Sequence, residues 1–253
     1  MNTVLLCGGR GVRFSEETNL IPKPMIQIGN LPILMHLIKI YNHYNIKDFI
    51  LCLGYKQEII REYFLNFNSH NSDMVINLKE GNVEYFKKPV LDSNIHLIDT
   101  GENTLTGGRL LKIKDYIKED IFLVNYSDGL SNININELIR FHKSHGKIAT
   151  LTAVKKQGKF GTIQVKNDTV TSFKEKPVDD DYINGGFFCF SKKIFDYIID
   201  GDFPETLDLL AKNGQLIAYK FKGFWDCVDT LNDKIRLEKM CNDNQAPWKV
   251  WND

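Results

Sequence analysis

The residues best placed to do chemistry open the chain. A short apolar run from Val4 to Cys7 reads as a buried strand and empties into Gly8, Gly9, Arg10 and Gly11. Glycine tolerates positive φ and lacks a Cβ, so a backbone can press against a ligand there. Aimed N–H groups in such a loop make an anion-binding concavity. Arg13 adds a planar fork of donors suited to phosphate. Ten residues on, Lys23 stands between Pro22 and Pro24, a cation on a stretch stiffened by proline. Together these features predict a receptor for a polyphosphate. Two better-known phosphate loops are excluded. No GxxxxGK followed by Ser or Thr is present at this turn, and GxGxxG fails because Phe14 stands three residues after Gly11.

Two carboxylates could converge on such a loop. In an open parallel sheet, ligands bind beyond the carboxyl ends of the strands. Asp128, in the turn Ser127-Asp128-Gly129, and Asp229, between Cys227 and Thr230, both stand at such ends. Hard oxygen ligands suit Mg²⁺, which takes one or two carboxylates and fills its shell with phosphate and water. Each aspartate also has a plainer reading, Asp128 as a turn residue and Asp229 as the N-cap of the last helix. Glu175 and Lys176 read either as a solvated strand end or as groups facing a substrate. Asn184, Gly185 and Gly186, ahead of the aromatic run Phe187 to Phe190, suggest a backbone passing close to a ligand. Trp225 could line the same pocket or belong to the core. His142 and His145 lack a third ligand in metal spacing and read as packing or surface residues. The cysteines sit mostly inside apolar strands, where thiols are inert.

These residues need strands and helices to hold them. Apolar spacing predicts a helix over 31–44, a buried strand over 49–53 and a helix over 57–67. Residues 68–97 are the least regular and predict a protruding hairpin or arm, with a strand over 95–99. Further on come a helix over 109–117, a strand over 121–126, a helix over 137–145 and a strand over 148–154. From residue 160 the period turns β-like, over 162–166, 170–173 and 184–190. Short helices follow at 194–199 and 205–212, then a strand over 216–221 and a terminal helix over 231–241. Alternating strands and helices imply right-handed crossovers and a parallel sheet. The expected class is α/β, a mixed, mostly parallel central sheet flanked by helices, with a β-arm. A single domain over 1–253 is expected, residues 160–253 forming its acceptor-binding and C-terminal part.

Bulk composition narrows the partners. Lys plus Arg and Asp plus Glu each number 32 in 253 residues, so no basic footprint points to nucleic acid. No apolar run approaches the ~18–20 residues of a membrane span, and the N-terminus lacks the basic segment of a signal peptide. Five scattered cysteines without a C-x-x-C pair argue against a disulfide framework and a structural zinc site, and a reduced, cytoplasmic setting is expected. Trp248 and Trp251, in a polar tail, are expected to dock on their own domain or on a neighbouring subunit.

With these residues in order, the chain resembles the sugar-1-phosphate nucleotidylyltransferases. The resemblance rests on Leu6 to Arg13, Ser15 to Thr18, Pro22 to Met25, Gly54 to Lys56, Asp99 to Gly101, Thr106 to Arg109, Tyr126 to Gly129, Phe173 to Pro177, Asn184 to Phe187, Phe224 to Thr230 and Ala246 to Trp251. It runs nearly end to end and is nearest the cytidylyltransferases that take glucose 1-phosphate. It implies a Rossmann-like fold, transfer of CMP from CTP to a small phosphorylated acceptor, and a homo-oligomer. Leu6, Gly8, Gly9, Gly11 and Ser127 would cradle the nucleotide, and Arg13 and Lys23 would grip its phosphates. Thr106 and Arg109 lie where this branch can reach a nucleotide from a neighbouring subunit. Asp128 and Asp229 would hold Mg²⁺. Glu175, Lys176, Asn184, Gly186 and Trp225 would face the acceptor. Departures fall in 68–97, in the shortened stretch 200–204, and at Ser127, where the branch carries Gly. Length and departures resemble the cytidylyltransferases of capsular phosphoramidate assembly, so L-glutamine phosphate is the expected acceptor, with glucose 1-phosphate its alternative. A nucleotide-binding protein that has lost the chemistry is the rival reading.

Overall fold

The computed structural model describes residues 1–11, 14–86, 91–155, 162–166, 169–174 and 181–251. Among these, an eight-stranded sheet is the spine. Its strands are β1 (Asn2–Leu6), β2 (Asp48–Leu53), β3 (Asn94–Asp99), β4 (Ile121–Tyr126), β5 (Ala149–Val154), β6 (Ile183–Asn184), β7 (Phe188–Ser191) and β8 (Leu216–Phe221). β1 lies between β2 and β4, parallel to both, and β3 continues parallel beyond β2. β7 runs antiparallel between β4 and β5, β6 pairs antiparallel with the end of β5, and β8 is parallel to β5. The sheet is therefore mixed and mostly parallel.

Side-chain alternation divides the core in two. Leu5, Phe49, Leu51 and Leu123 enter one apolar cluster, and Val4, Ile50, Phe122 and Val124 the other. With both faces covered, these strands read as continuous apolar runs. On the first face pack α1 (Ile33–His43), α2 (Gln57–Leu65), α4 (Ile135–His145) and α6 (Leu231–Asn242), through residues such as Leu37, Ile60, Leu138 and Leu237. On the second pack α3 (Thr106–Lys112) and α5 (Phe203–Lys212), through Leu110, Phe203 and Leu210.

Three expected elements differ. The helix of 109–117 begins at Thr106 and finishes as a 3₁₀ turn, Lys114–Tyr116. The helix of 194–199 is instead a 3₁₀ turn, Lys192–Asp196. The strand of 184–190 is broken between β6 and β7, because Gly186 and Phe187 take positive φ, +72° and +43°. Asn125 Oδ1 accepts the Phe187 N–H at 2.9 Å, and Thr152 O accepts the Gly185 N–H at 2.8 Å, which hold the bend. A Cβ on Gly186 would lie 2.5 Å from Asn125 Oδ1. The glycine is required by the protein's own Asn125, without any ligand.

Within 68–97 a hairpin forms, Asp73–Asn77 against Asn82–Phe86, with Val75, Ile76 and Leu78 exposed. The tail docks on its own chain. Trp248 is fully buried, stacks on Phe224 at 5.5 Å, and donates Nε1–H to His36 Nδ1 at 3.2 Å.

Candidate active site

A cleft of about 480 Å³ opens at the carboxyl ends of β1 and β4. Its floor is the end of β1 and the turn that follows: Leu6, Gly8, Gly9 and Gly11. Gly11 takes φ +62°, and its carbonyl accepts the Thr18 hydroxyl at 3.1 Å. A Cβ on Gly9 would meet nothing within 4 Å, so Gly9 presents open backbone. Gly8 is different. A Cβ there would lie 2.1 Å from Arg109 Nη1, so its missing side chain makes room for a guanidinium. Arg13 lies outside the described residues.

Three residues from distant parts of the sequence meet at the cleft. Lys23 Nζ donates to Asp128 Oδ2 at 2.6 Å and to Asp229 Oδ1 at 2.8 Å. The backbone explains the meeting. Gly129–Ser131 pairs antiparallel with Trp225–Cys227, and Val228 N donates to Asp128 O at 3.0 Å. This small ladder sets Asp128, the residue before its first strand, beside Val228, the residue just past its second, and so brings Asp229 next to it. Asp229 is not the cap of α6. Thr230 holds that place in a capping box with Asp233. Lys23 sits on a 3₁₀ turn, Lys23–Met25, entered through Pro22, with its side chain 14% exposed. Burial disfavours its charged form, but Asp128 and then Asp229 outweigh burial and hold its pKa above the ordinary lysine value.

The two carboxylates fit Mg²⁺, a hard cation content with few protein ligands. No group of three or more His, Cys, Asp or Glu suited to a metal occurs among the described residues, so phosphate and water would complete the shell. The expected histidine pair is structural. His142 Nδ1 and His145 Nε2 both meet the Thr150 hydroxyl, at 2.9 and 2.8 Å, and burial pulls His142 down to about 4. All five cysteines are buried, and burial pushes the Cys7 thiol far up.

Thr106, Arg109 and Ser127 also line the cleft, each with a structural bond. Thr106 Oγ1 accepts the Phe203 N–H at 2.9 Å, and the Ser127 hydroxyl donates to Leu6 O at 2.8 Å. Arg109 points inward beneath its own glycine loop. Of the expected acceptor residues, Glu175 and Lys176 lie outside the described residues. Asn184, Gly186 and Trp225 adjoin the cleft through a hydrogen-bonded chain. Trp225 Nε1–H donates to Gly185 O at 2.6 Å, Gly186 N–H to Asn184 Oδ1 at 3.0 Å, and the Asn184 side chain bonds Tyr126. Tyr126 and Asp202 line the cleft, though neither was given a site role from the sequence. Burial, with Asp128 and Asp202 nearby, pushes the Tyr126 hydroxyl up to about 12 despite that bond to Asn184. Tyr126 could have been found as the last residue of a strand entering the Ser127-Asp128-Gly129 turn. Asp202 is the N-cap residue of α5, and its place ahead of Pro204 and Glu205 is a helix-start pattern that could have singled it out.

Residues 2–240 match the family described as Nucleotidyl transferase. A glucose-1-phosphate cytidylyltransferase of Salmonella typhimurium is 46% identical over 257 aligned positions, covering 99% of this chain and 100% of that protein. A mannose-1-phosphate guanyltransferase of Candida albicans is 29% identical, covering 95% of this chain and 64% of the other. The structure of a UDP-glucose pyrophosphorylase with UDP-glucose superposes with a TM-score of 0.69 at 16% identity, over 96% of this chain and 98% of that one. At that identity the likeness speaks for the fold alone.

Proposed function

The chain belongs to the nucleotidyl transferase family, and from that premise we propose that it transfers CMP from CTP to glucose 1-phosphate, giving CDP-glucose and pyrophosphate. One observation carries the reading: Lys23, Asp128 and Asp229 converge beside a glycine loop that floors a nucleotide-sized cleft. The choice of base and acceptor draws on the Salmonella typhimurium relative. That likeness favours glucose 1-phosphate over the L-glutamine phosphate expected from the sequence. The product would be an activated sugar for surface-polysaccharide assembly, made in the cytoplasm.

The reaction needs no protein nucleophile. A phosphate oxygen of the acceptor attacks the α-phosphorus of CTP. The new O–P bond forms as the bond between the α-phosphorus and its bridging oxygen breaks, and pyrophosphate leaves with the electron pair. Positioning and charge neutralisation supply such catalysis. Gly9 and Gly11 offer backbone to the phosphates, Arg13 and Lys23 take up charge moving toward pyrophosphate, and the Asn184-to-Gly186 bend braces the acceptor side. Asp128 and Asp229 would hold Mg²⁺, which when bound supplies further neutralisation of phosphate charge.

The test is pyrophosphate release with Mg²⁺, each of CTP, UTP, dTTP and GTP, and either glucose 1-phosphate or L-glutamine phosphate. Release with CTP and glucose 1-phosphate is expected. Release only with L-glutamine phosphate would return the acceptor to the sequence expectation, and silence across the panel would leave a binding protein without chemistry. Asp128→Asn should lower turnover by about 10²-fold or more with an unchanged circular dichroism spectrum.

A further inference from the structure

A second cavity, of about 530 Å³, opens at the opposite edge of the sheet. It lies where β4, β5 and β8 begin and β7 ends, about 20 Å along β4 from the cleft. Backbone bonds from Ser191 N to Ile148 O at 2.8 Å and from Lys192 N to Asp120 O at 2.7 Å hold its walls. Lys143, Lys147 and Lys193 line it, and none of them makes an ion pair among the described residues. Against these ammoniums stand the carboxylate of Asp120 and about half a negative charge at the C-terminus of α4. The cavity is therefore net positive.

A buried donor points to what fills it. His142 is 3% exposed and forms part of the wall. Its proton can be placed along a chain of bonds. Lys147 N–H donates to His145 Nδ1 at 3.0 Å, so His145, held neutral by burial and by Lys147, carries its proton on Nε2. That Nε2–H donates to Thr150 Oγ1 at 2.8 Å, which sends the hydroxyl proton to His142 Nδ1 at 2.9 Å. His142, kept neutral by burial, is therefore protonated on Nε2, and this N–H has no acceptor among the described residues. An unmet buried donor is costly. Thr150 takes one nitrogen of the ring and leaves the other for an occupant of the cavity.

We propose that this cavity binds the phosphate of a small phosphomonoester, with His142 Nε2–H donating to a phosphate oxygen and Lys143, Lys147 and Lys193 neutralising its charge. Ile121, Ile148 and Tyr197 give apolar wall to the ester's organic body. The site shares no lining residue with the cleft and does not depend on the chemistry proposed there.

The test is nitrogen-15 NMR of the His142 ring in the full chain, titrated with inorganic phosphate, glucose 6-phosphate and glucose. Glucose 6-phosphate should move the Nε2 resonance at lower concentration than phosphate, and glucose should leave it still. The bound ester should also raise the His142 pKa from about 4, because an anion favours the imidazolium. Replacing two lysines together, Lys143→Gln with Lys193→Gln, should weaken the ester about tenfold, with Tm and affinity for CTP unchanged. A resonance unmoved at millimolar ester, moved equally by glucose, or moved with equal affinity in the double variant would overturn the proposal. An ester no tighter than phosphate would overturn the assignment to an ester. Every readout is binding, so a failed transfer assay leaves the result separate.

Discussion

Lys23 occupies the ground that a divalent ion would need. Its ammonium bridges Asp128 and Asp229, so under the proposed function an ion and the lysine would compete for the same oxygens until a polyphosphate drew the lysine away. Its raised pKa means that the stability from these contacts is present below the ordinary lysine value and is lost only as pH rises through the higher folded one. The bridge therefore stands intact at neutral pH. Removing the lysine leaves two facing carboxylates with no cation between them. Lys23→Ala is expected to bind Mn²⁺ more tightly than the wild type in the absence of nucleotide, by about tenfold, as read by electron paramagnetic resonance. Its turnover should still fall by about 10²-fold. Unchanged Mn²⁺ affinity would show that the bridge does not guard the site. Residue types singled out Lys23 and the two aspartates, although each aspartate also read as a turn residue or a helix cap, and only the fold brings the three together. Direction was not legible. The close approach of the Arg109 guanidinium to Gly8, both in the cleft lining, had no signal in the sequence.

At the scale of elements, apolar periodicity located nearly every strand and helix, since burial on both faces of the sheet leaves long unbroken runs. It failed at the bend between β6 and β7, where local pattern says strand and one buried side chain, Asn125, decides otherwise. Two glycines test that account. Gly186 and Gly214 both take positive φ, +72° and +62°, but a Cβ on Gly214 meets nothing within 4 Å. Gly214→Ala should lose only the backbone preference, about 1 kcal/mol. Gly186→Ala adds a collision with a buried polar group and should lose about 3 kcal/mol in urea unfolding. Equal losses would remove Asn125 from the explanation. The acceptor side should feel the bend as well, because Trp225 bonds Gly185 O and Asn184 bonds Tyr126 at the cleft. A raised KM for the acceptor, with that for CTP unmoved, is the expected kinetic mark of Gly186→Ala.

Across the whole molecule, the cleft is assembled from the start, middle and end of the chain. Lys23 follows the first strand, Asp128 follows β4, and Asp229 precedes the last helix, while Glu17 and Lys234 close a further 2.7 Å ion pair between the two ends. Sequence placed the two acids near strand ends but could not order the strands, because the antiparallel insertion of β7 between β4 and β5 is a long-range choice. The pairing of Gly129–Ser131 with Trp225–Cys227 was equally hidden, since three-residue strands carry no periodicity. A ligand bridging such remote segments finds its site only in the folded chain, so binding must stabilise the whole. CTP with Mg²⁺ at a hundred times its Kd adds about 2.7 kcal/mol. For a chain of this size that is a rise in Tm of about 5–10 °C. NAD, whose fingerprint the loop lacks, should leave Tm unmoved. Asp229→Asn should lose most of the rise due to Mg²⁺ and keep part of that due to CTP alone, because the glycine loop remains. A full shift in that variant would mean that the C-terminal acid takes no part in holding the nucleotide's metal.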